Sequence, residues 1–264
     1  MHAVTDPYTH HPELRGKIVD PLTSFFRTFS LDSMLARYPE LAAARSWAHS
    51  DSHREGTRAR TLAEHGAGDL WIFAYGSLMW DPAFQFAEVR RASVPGYARR
   101  FVLKDIYGAR GTREAPGLMA ALDRGDGCEG LAFRIAAQEI EAETEILWRR
   151  EMIGPGYIPT FVPAVIDGQP GNALTFVADH SADQICPELT RREQVQFIAQ
   201  GKGFLGTSKD YLCNIVSQFA ALGIVDDDCT SLLQEVEACL AAQKSRRPIE
   251  PRDGAGNDGP DPSL

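Results

Sequence analysis

Apolar and polar positions follow two different periods along the middle of the chain. Between about residues 71 and 178, short runs of β-branched and aromatic residues alternate with turn-rich gaps, as is typical of an antiparallel or mixed sheet. The predicted strands lie at 71–75, 99–105, 117–123, 129–135, 157–166 and 172–178. The predicted helices lie at 138–153, 190–200, 208–222 and 228–242. Because strands cluster first and helices last, we expect an α+β domain rather than alternating βαβ units.

The N-terminal part of the chain is more polar than this middle part. Residues 1–28 are rich in His and Pro, and we expect them to be loosely attached. Ser30 is a suitable cap for one helix over residues 31–41, where apolar residues recur at helical spacing. The following stretch 52–69, SHREGTRARTLAEHGAGD, is interpreted as a linker.

The C-terminal end is dense in Pro, Gly and charged residues from Lys244 onward, which is typical of disorder. A chain of 264 residues is long enough for one large domain with appendages. The sequence therefore predicts an N-terminal extension with one helix and a linker (1–68), a folded domain (69–243) and a disordered tail (244–264).

The net charge limits the classes of partner that the protein can have. The formal charge is −9 and the isoelectric point is about 5.3, so we do not expect the basic face that binds nucleic acid. A small acidic ligand is compatible with this charge, because a local group of arginines can attract it. The sequence contains neither a signal-peptide core nor a run of roughly 18 apolar residues. We therefore expect a cytoplasmic protein with no membrane partner, and leave the oligomeric state open.

The cysteines and the short motifs give no sign of a metal or a cofactor. Five cysteines occur at positions 128, 186, 213, 229 and 239, an odd number with no CxxC pair. We expect them to be small buried residues in a reducing compartment. The sequence has no Gly-rich phosphate loop, HExxH motif or paired His/Asp pattern. The prediction is a protein without metal or cofactor.

Glu151 breaks the charge pattern of the predicted helix 138–153. Glutamates fill the first half of this helix and arginines precede its end, as the helix dipole favours, but Glu151 lies in the last turn. It continues an apolar line through Thr144 and Leu147, so we expect it to be buried. Desolvation and the negative helix end should both raise its pKa, as a proton shuttle requires. A structural ion pair with a neighbouring arginine explains the same position, and the helix alone favours this second interpretation.

The segment Tyr75-Gly76-Ser77-Leu78 follows the first predicted strand. As a short motif it is more often a turn than a site. Its functional interpretation is that Gly76 lets the backbone approach a ligand closely and that successive amide groups form a concave anion site.

Ser77 is not expected to be a nucleophile. The G-x-S-x-G elbow is absent, because Tyr75 occupies the first glycine position. A nucleophilic serine also needs a base, and His180 is the only histidine after His65. Cys128 lacks a base for the same reason.

Arginines and one tyrosine are further candidates for ligand contacts. Most arginines are expected to be solvated, but one or two could pair with carboxylates of a substrate. Tyr211 begins a predicted helix in the segment LGTSKDYL, either as a core anchor or with its hydroxyl towards a site.

Six segments in this order resemble the ChaC-like gamma-glutamylcyclotransferases. They are FAYGSLMW, GYARRF, RGTREAPG, EGLAFRI, ILWRREMIGPGYIPTFVPA and GTSKDYL, and the likeness extends over roughly residues 69–240. The resemblance implies a small closed or nearly closed mixed β-barrel with helices around it. It also implies a reaction in which the α-amino group of a γ-glutamyl unit attacks its own γ-carbonyl. The products would be 5-oxoproline and the departing amine, and for ChaC-like members the implied substrate is reduced glutathione, which leaves cysteinyl-glycine.

The resemblance also assigns roles to individual residues. The catalytic glutamate of the family corresponds to Glu151, which would act as general acid and base. The residues implied to contact the substrate are Tyr75, Gly76, Ser77, Leu78 and Tyr211. Arg100 and Arg113 are our own choice for the groups that bind substrate carboxylates.

Three alternatives to this interpretation are open. The protein could act on other γ-glutamyl amino acids or amines, since the sequence does not define the leaving-group side of the pocket. It could be a binding module without turnover, although such a module has no need of a desolvated carboxylate. A serine hydrolase that uses Ser77 and His180 is the third and least expected alternative.

Overall fold

A seven-stranded sheet forms the centre of the fold in the computed structural model, which describes residues 6–246. Its strands are β1 (Leu70–Ala74), β2 (Glu88–Val94), β3 (Tyr97–Asp105), β4 (Gly117–Arg124), β5 (Cys128–Ile135), β6 (Tyr157–Ile166) and β7 (Gln169–Ala178). A separate hairpin is formed by β8 (Lys202–Gly203) and β9 (Gly206–Thr207). The α-helices are α1 (Leu31–Arg37), α2 (Ala44–Trp47), α3 (Asp51–Leu62), α4 (Ile140–Glu151), α5 (Arg191–Gln200), α6 (Ser208–Leu222) and α7 (Asp227–Arg246).

Five of the strands close into a barrel. They follow the order β1-β5-β2-β6-β7, and β7 then pairs in parallel with β1 at Leu174 and Ile72. The sheet continues from β7 through β4 to β3, because β4 pairs in parallel with β7 at Leu122 and Val177. Closure satisfies the backbone groups that an open sheet would leave at its edges.

The two faces of the barrel strands belong to different hydrophobic clusters. Successive residues of a strand point to opposite faces, and Ile72 and Phe133 pack in the large cluster that also contains helix residues such as Trp148. The other face forms a second cluster whose members include Phe73, Val94, Ala132, Val162 and Ala173. This second cluster draws on all five barrel strands and contains many small residues, so we assign it to the narrow interior.

The sheet and the C-terminal helices agree with the sequence prediction. The α+β class is confirmed, and all six predicted strands and four predicted helices of residues 71–242 are present, some with shifted ends. The strand of the seven-stranded sheet that the sequence analysis missed is β2, and the short strands β8 and β9 were not predicted either. The β2 sequence EVRRASV carries three charged residues, which obscure the alternation of apolar and polar positions that is typical of a strand. In the structure these residues form ion pairs with Asp167, Glu129 and Arg134.

The expectation of a loosely attached N-terminus is wrong for the described residues. Leu14 and Ile18 are buried in the large hydrophobic cluster, and the Val19 N–H donates to the Trp80 carbonyl at 2.8 Å. The expected helix over residues 31–41 ends earlier, at Arg37, and Pro39–Leu41 forms a separate 3-10 turn. Proline disfavours helical geometry in the residue before it, which explains the break.

The predicted linker is also wrong, because most of it is helix α3. The Ser50 hydroxyl accepts the His53 N–H and caps this helix. Arg58 is only 5% exposed and donates to the Thr144 hydroxyl of α4 at 3.0 Å. Arg58 is therefore satisfied by protein partners rather than by water, and polarity alone misidentified the stretch as a linker.

At the other end, helix α7 continues to Arg246, and residues 244–246 are helical rather than disordered. The rest of the predicted tail, 247–264, lies outside the described residues. Across residues 6–246, no helix combines the length and the apolar character needed to cross a membrane. The division of the chain at residue 68 stays a prediction.

Candidate active site

Glu151 is the last residue of α4, and its side chain is 14% exposed. Thr144 and Leu147, on the line that the sequence analysis identified, are fully buried. Burial raises the pKa of the Glu151 carboxyl, while the positive charge and hydrogen bond of Arg150 oppose this rise. The arrangement keeps a proton-accepting group largely out of water.

Glu151 lines a cavity of about 160 Å³. The segment 75–78, which we call the glycine turn, contributes Ser77 to this cavity. Tyr157 of β6 lines it as well, together with Arg150 and Gln184. The glycine turn therefore lies close to the end of α4, which we call the glutamate helix, as the sequence predicts. The remaining wall of the cavity is largely apolar.

The glycine turn is shaped by a close approach of Tyr211. A Cβ atom on Gly76 would lie 2.6 Å from the Tyr211 hydroxyl oxygen, which is closer than real Cβ contacts allow. Strand β1 ends at Ala74, and a 3-10 turn follows over Ser77–Met79. Glycine is needed here for space beside Tyr211.

The amide groups of the turn have no hydrogen-bond acceptor among the described residues, and Ser77 is the residue of the turn that lines the cavity. Among the hydrogen bonds of residues 6–246, none uses the amide N–H of Gly76, Ser77 or Leu78. The Leu78 side chain is buried in the large hydrophobic cluster, so this residue can offer only its backbone. Consecutive free N–H groups in a turn are suited to hold an anion or a developing negative charge.

Arg150 joins the glutamate to the glycine turn. Its Nε donates to Glu151 Oε1 at 2.8 Å, and one terminal nitrogen donates to Ser77 Oγ at 2.9 Å. The other terminal nitrogen lies 3.6 Å from Asp81 Oδ1, and the guanidinium carbon lies 4.4 Å from the centre of the Phe26 ring. The side chain is only 2% exposed. These contacts fix the position of the carboxylate relative to the turn.

Sequence reasoning missed the role of Arg150, because it assigned both arginines of the last turn to the helix dipole. One signal was present in the spacing. Arg150 continues the helical line through Glu143 and Ile146, both of which are buried. An arginine in that line is expected to face the protein rather than water.

Three tyrosines lie within reach of the charge of Glu151. The pKa values of Tyr75, Tyr157 and Tyr211 are all raised, mainly by burial and further by the negative charge of Glu151, and that of Tyr211 reaches about 12. The Tyr75 hydroxyl donates to the Phe176 carbonyl at 2.9 Å, so it is used within the barrel. Tyr157 lines the cavity and was missed from the sequence. All three hydroxyls are neutral near pH 7 and can act as hydrogen-bond donors.

The structure does not bring Arg100 or Arg113 to the cavity. Arg100 is exposed on β3, and its Nε donates to the Arg124 carbonyl at 3.2 Å. Arg113 is exposed in the loop between β3 and β4. Side chains alternate along a strand, so it is Arg99 that points inward, where its Nε donates to the Tyr75 carbonyl at 2.6 Å. The arginine that lines the cavity is Arg150 rather than either of the two chosen.

The geometry does not support a serine hydrolase. His180 has a side chain that is 51% exposed, it hydrogen-bonds to Asp123 at 2.9 Å, and it does not line the cavity. The Ser77 hydroxyl instead accepts a hydrogen bond from Arg150. His180 is therefore not placed to take the proton of Ser77. Within residues 6–246, no group of three or more His, Cys, Asp and Glu side chains is placed to hold a metal ion.

Solved structures show the same fold in known cyclotransferases. A crystal structure of a gamma-glutamylcyclotransferase specific to glutathione from yeast superimposes with a TM-score of 0.60 at 20% identity. The match covers 65% of this chain and 97% of the yeast chain. At this identity the match supports the fold alone.

Comparison of sequences identifies the family. The Escherichia coli K12 protein named glutathione-specific gamma-glutamylcyclotransferase is 36% identical over 194 residues, which cover 73% of this chain and 84% of that protein. The zebrafish (Danio rerio) glutathione-specific gamma-glutamylcyclotransferase 1 is 32% identical over 189 residues, 70% of this chain and 94% of the relative. The family description "ChaC-like protein" matches residues 70–239. The resemblance expected from the sequence is thus confirmed, and the chain belongs to the ChaC-like family.

Proposed function

We propose that this protein cleaves glutathione to 5-oxoproline and cysteinyl-glycine. The observation that carries the proposal is the shielded Glu151 carboxyl, which Arg150 connects to the glycine turn in one cavity. The E. coli and zebrafish relatives carry the name of this activity, which supports the substrate. The reaction needs no external nucleophile, and this agrees with a Ser77 hydroxyl that accepts a hydrogen bond from Arg150.

In the proposed reaction, Glu151 first accepts a proton from the α-ammonium group of the γ-glutamyl unit. The freed amine attacks the γ-carbonyl carbon, so that a C–N bond forms and the carbonyl electrons move onto oxygen. Collapse of this tetrahedral species breaks the original amide C–N bond. The departing nitrogen takes this proton from Glu151, and the ring nitrogen gives up its second proton to the regenerated carboxylate, which passes it to the departing amine. The raised pKa of this carboxyl brings it closer to that of the amine, which favours both transfers.

The neighbouring groups position the substrate. The unpaired amides of Gly76, Ser77 and Leu78 would stabilise negative charge, either on a substrate carboxylate or on the oxygen of the tetrahedral species. Arg150 holds Glu151 in a fixed orientation toward this turn. Because amine and carbonyl belong to one molecule, holding the substrate in a folded conformation supplies much of the rate enhancement.

The direct test is product analysis after incubation with glutathione, with no metal or nucleotide added. We expect 5-oxoproline and cysteinyl-glycine in equal amounts. A parallel incubation with γ-glutamyl-alanine measures the breadth of the substrate class. Release of 5-oxoproline from the alanine compound but not from glutathione would contradict the proposed substrate, and release from neither would contradict the proposed activity.

Substitution of the glutamate tests the mechanism. The variant Glu151→Gln keeps the shape of the side chain but cannot accept the proton, so we expect kcat to fall by about 10²-fold or more. The matched control is Glu145→Gln on the same helix, where the carboxylate is 61% exposed and lies outside the cavity. The control should retain wild-type kcat. Thermal unfolding of both variants shows whether the fold is intact, and full activity in Glu151→Gln would refute the mechanism.

A further inference from the structure

The N-terminal extension supplies one wall of the cavity that contains Glu151. This contribution lies outside residues 70–239, to which the family match is confined. All of the side chains that it contributes are aromatic or aliphatic, namely Phe26, Phe29, Leu31, Met34, Ala44 and Trp47. The matched region supplies polar groups to the same cavity, including Ser77 and Glu151. The cavity therefore has a polar side around Ser77 and Glu151 and an apolar side, which the extension forms together with apolar residues of the matched region such as Met119 and Phe204.

The apolar side is a fixed part of the fold. Arg27 forms a bidentate ion pair with Glu143 of α4, and the Glu143 side chain is only 2% exposed. The Ser24 hydroxyl donates to Asp81 Oδ1 at 2.7 Å, and Arg149 donates to the Arg27 carbonyl at 3.0 Å. These contacts attach the extension to the glutamate helix and to the region after the glycine turn.

The extension also has a small hydrophobic core of its own. Phe29, Met34 and Ala44 are buried together, and Ile153 and Phe204 of the matched region pack against them. Side chains held in this way cannot move aside freely, so they define how much space the cavity offers.

The two sides suit the two halves of a γ-glutamyl peptide. The α-amino and α-carboxyl charges belong to the glutamyl half, which needs the polar groups around Glu151. The residue next to the scissile bond differs between possible substrates, and a thiol side chain packs well against aromatic rings and methionine. Phe26 marks the border between the sides, since its ring covers the Arg150 guanidinium at 4.4 Å.

We propose that residues 26–47 form the specificity wall of the active site, against which the side chain next to the scissile bond packs. This inference rests on the proposed function. It assigns substrate choice to the extension as well as to the matched region. The favoured class is γ-glutamyl peptides with a small, uncharged or thiol side chain at that position.

The test enlarges the cavity and measures selectivity. Phe29→Ala and Met34→Ala each shorten a buried wall residue, and Leu31→Ala is a milder third variant at a half-buried position. We expect the kcat/KM ratio of S-benzylglutathione to glutathione to rise about tenfold in each, in line with the discrimination that a pocket obtains from small differences in size. The control is Leu22→Ala, which lies on the same extension, is 63% exposed and does not line the cavity. Its ratio should equal that of the wild type.

Misfolding cannot make a variant more active on the larger substrate. A rise in the kcat/KM ratio of S-benzylglutathione to glutathione therefore supports the proposed specificity wall. The same comparison is made by calorimetric binding of both compounds in the Glu151→Gln background, which requires no turnover. A changed ratio of dissociation constants without glutathione cleavage by the wild type would support the wall and refute the proposed function. Cleavage by the wild type, with both ratios unchanged in all three wall variants, would overturn the wall and leave the proposed function intact.

Discussion

Replacement of Arg150 by methionine tests how the site controls its own carboxylate. The Arg150→Met variant would keep most of the aliphatic volume but remove the positive charge and the donors to Glu151 and Ser77, which are 2.8 and 2.9 Å away. The guanidinium stabilises the ionised form of Glu151, so its loss should raise the pKa of this carboxyl further. Because the proposed reaction begins with the ionised form, the acid limb of the rate profile should move to higher pH.

The size of the effect follows from the burial of both groups. A hydrogen bond to a charged group contributes about 1.5–3 kcal/mol, and one pKa unit corresponds to about 1.4 kcal/mol. We therefore expect the limb to move by about one pH unit or more. An uncompensated buried carboxylate also destabilises the fold, by about 3–5 kcal/mol when one partner of a buried pair is removed. Because the pKa of Glu151 is raised in the folded state, the folded state binds the proton more tightly than the unfolded state does. The loss of stability in Arg150→Met should therefore shrink as the pH falls towards 4.5, the ordinary pKa of a glutamate.

The assay is kcat/KM for 5-oxoproline release between pH 5 and pH 9, combined with urea unfolding at both ends of that range. Arg149→Met is the matched control, because Arg149 is the neighbouring arginine, is 35% exposed and does not line the cavity. The control should keep the wild-type pH profile. An Arg150→Met profile with the wild-type acid limb, together with equal destabilisation at both pH values, would refute the proposed coupling between the two side chains.

Two further predictions concern the glycine turn. Gly76→Ala should lower stability by about 1–3 kcal/mol, and Tyr211→Phe should recover part of this loss, because it removes the oxygen 2.6 Å from the new Cβ and leaves a contact of 3.7 Å. A double-mutant cycle by urea unfolding measures the coupling, and additive effects would contradict it. Ser77→Ala removes one hydrogen-bond acceptor of Arg150, so kcat/KM should fall only about tenfold. Complete loss of activity, or labelling of the wild type by a fluorophosphonate, would indicate a nucleophilic serine instead.

The parts of the fold that the sequence predicted are those with local signals. Helix α6 spans Ser208–Leu222, as expected, because Thr207 and Asp210 form a capping box at its start and Gly223 ends it in a left-handed conformation at φ 62°. The importance of Glu151 could also be inferred from neighbouring residues. It is a carboxylate at the helix end that favours positive charge, and it continues a line of apolar residues.

The parts that sequence reasoning missed depend on distant partners. Helical spacing puts Arg150 on a buried line, but it does not identify the partner of this side chain, Ser77, which lies 73 positions away. Helix α3 is similar, because Arg58 is anchored by Thr144 at a separation of 86 positions. A charged residue that will be buried by a remote ion pair has the same local sequence signature as one that will be solvated.

This distinction bears on where the functional unit of the chain begins. The N-terminal residues were expected to be loosely attached because they are polar. Two of these polar residues, Arg27 and Ser24, attach this part of the chain to Glu143 and Asp81. These attachments hold Phe26 over the guanidinium that contacts Glu151. Residues that precede the matched region therefore line the same cavity as Glu151. A boundary drawn by family likeness at residue 70 marks the matched region, whereas the wall of the cavity that contains Glu151 extends back to Phe26.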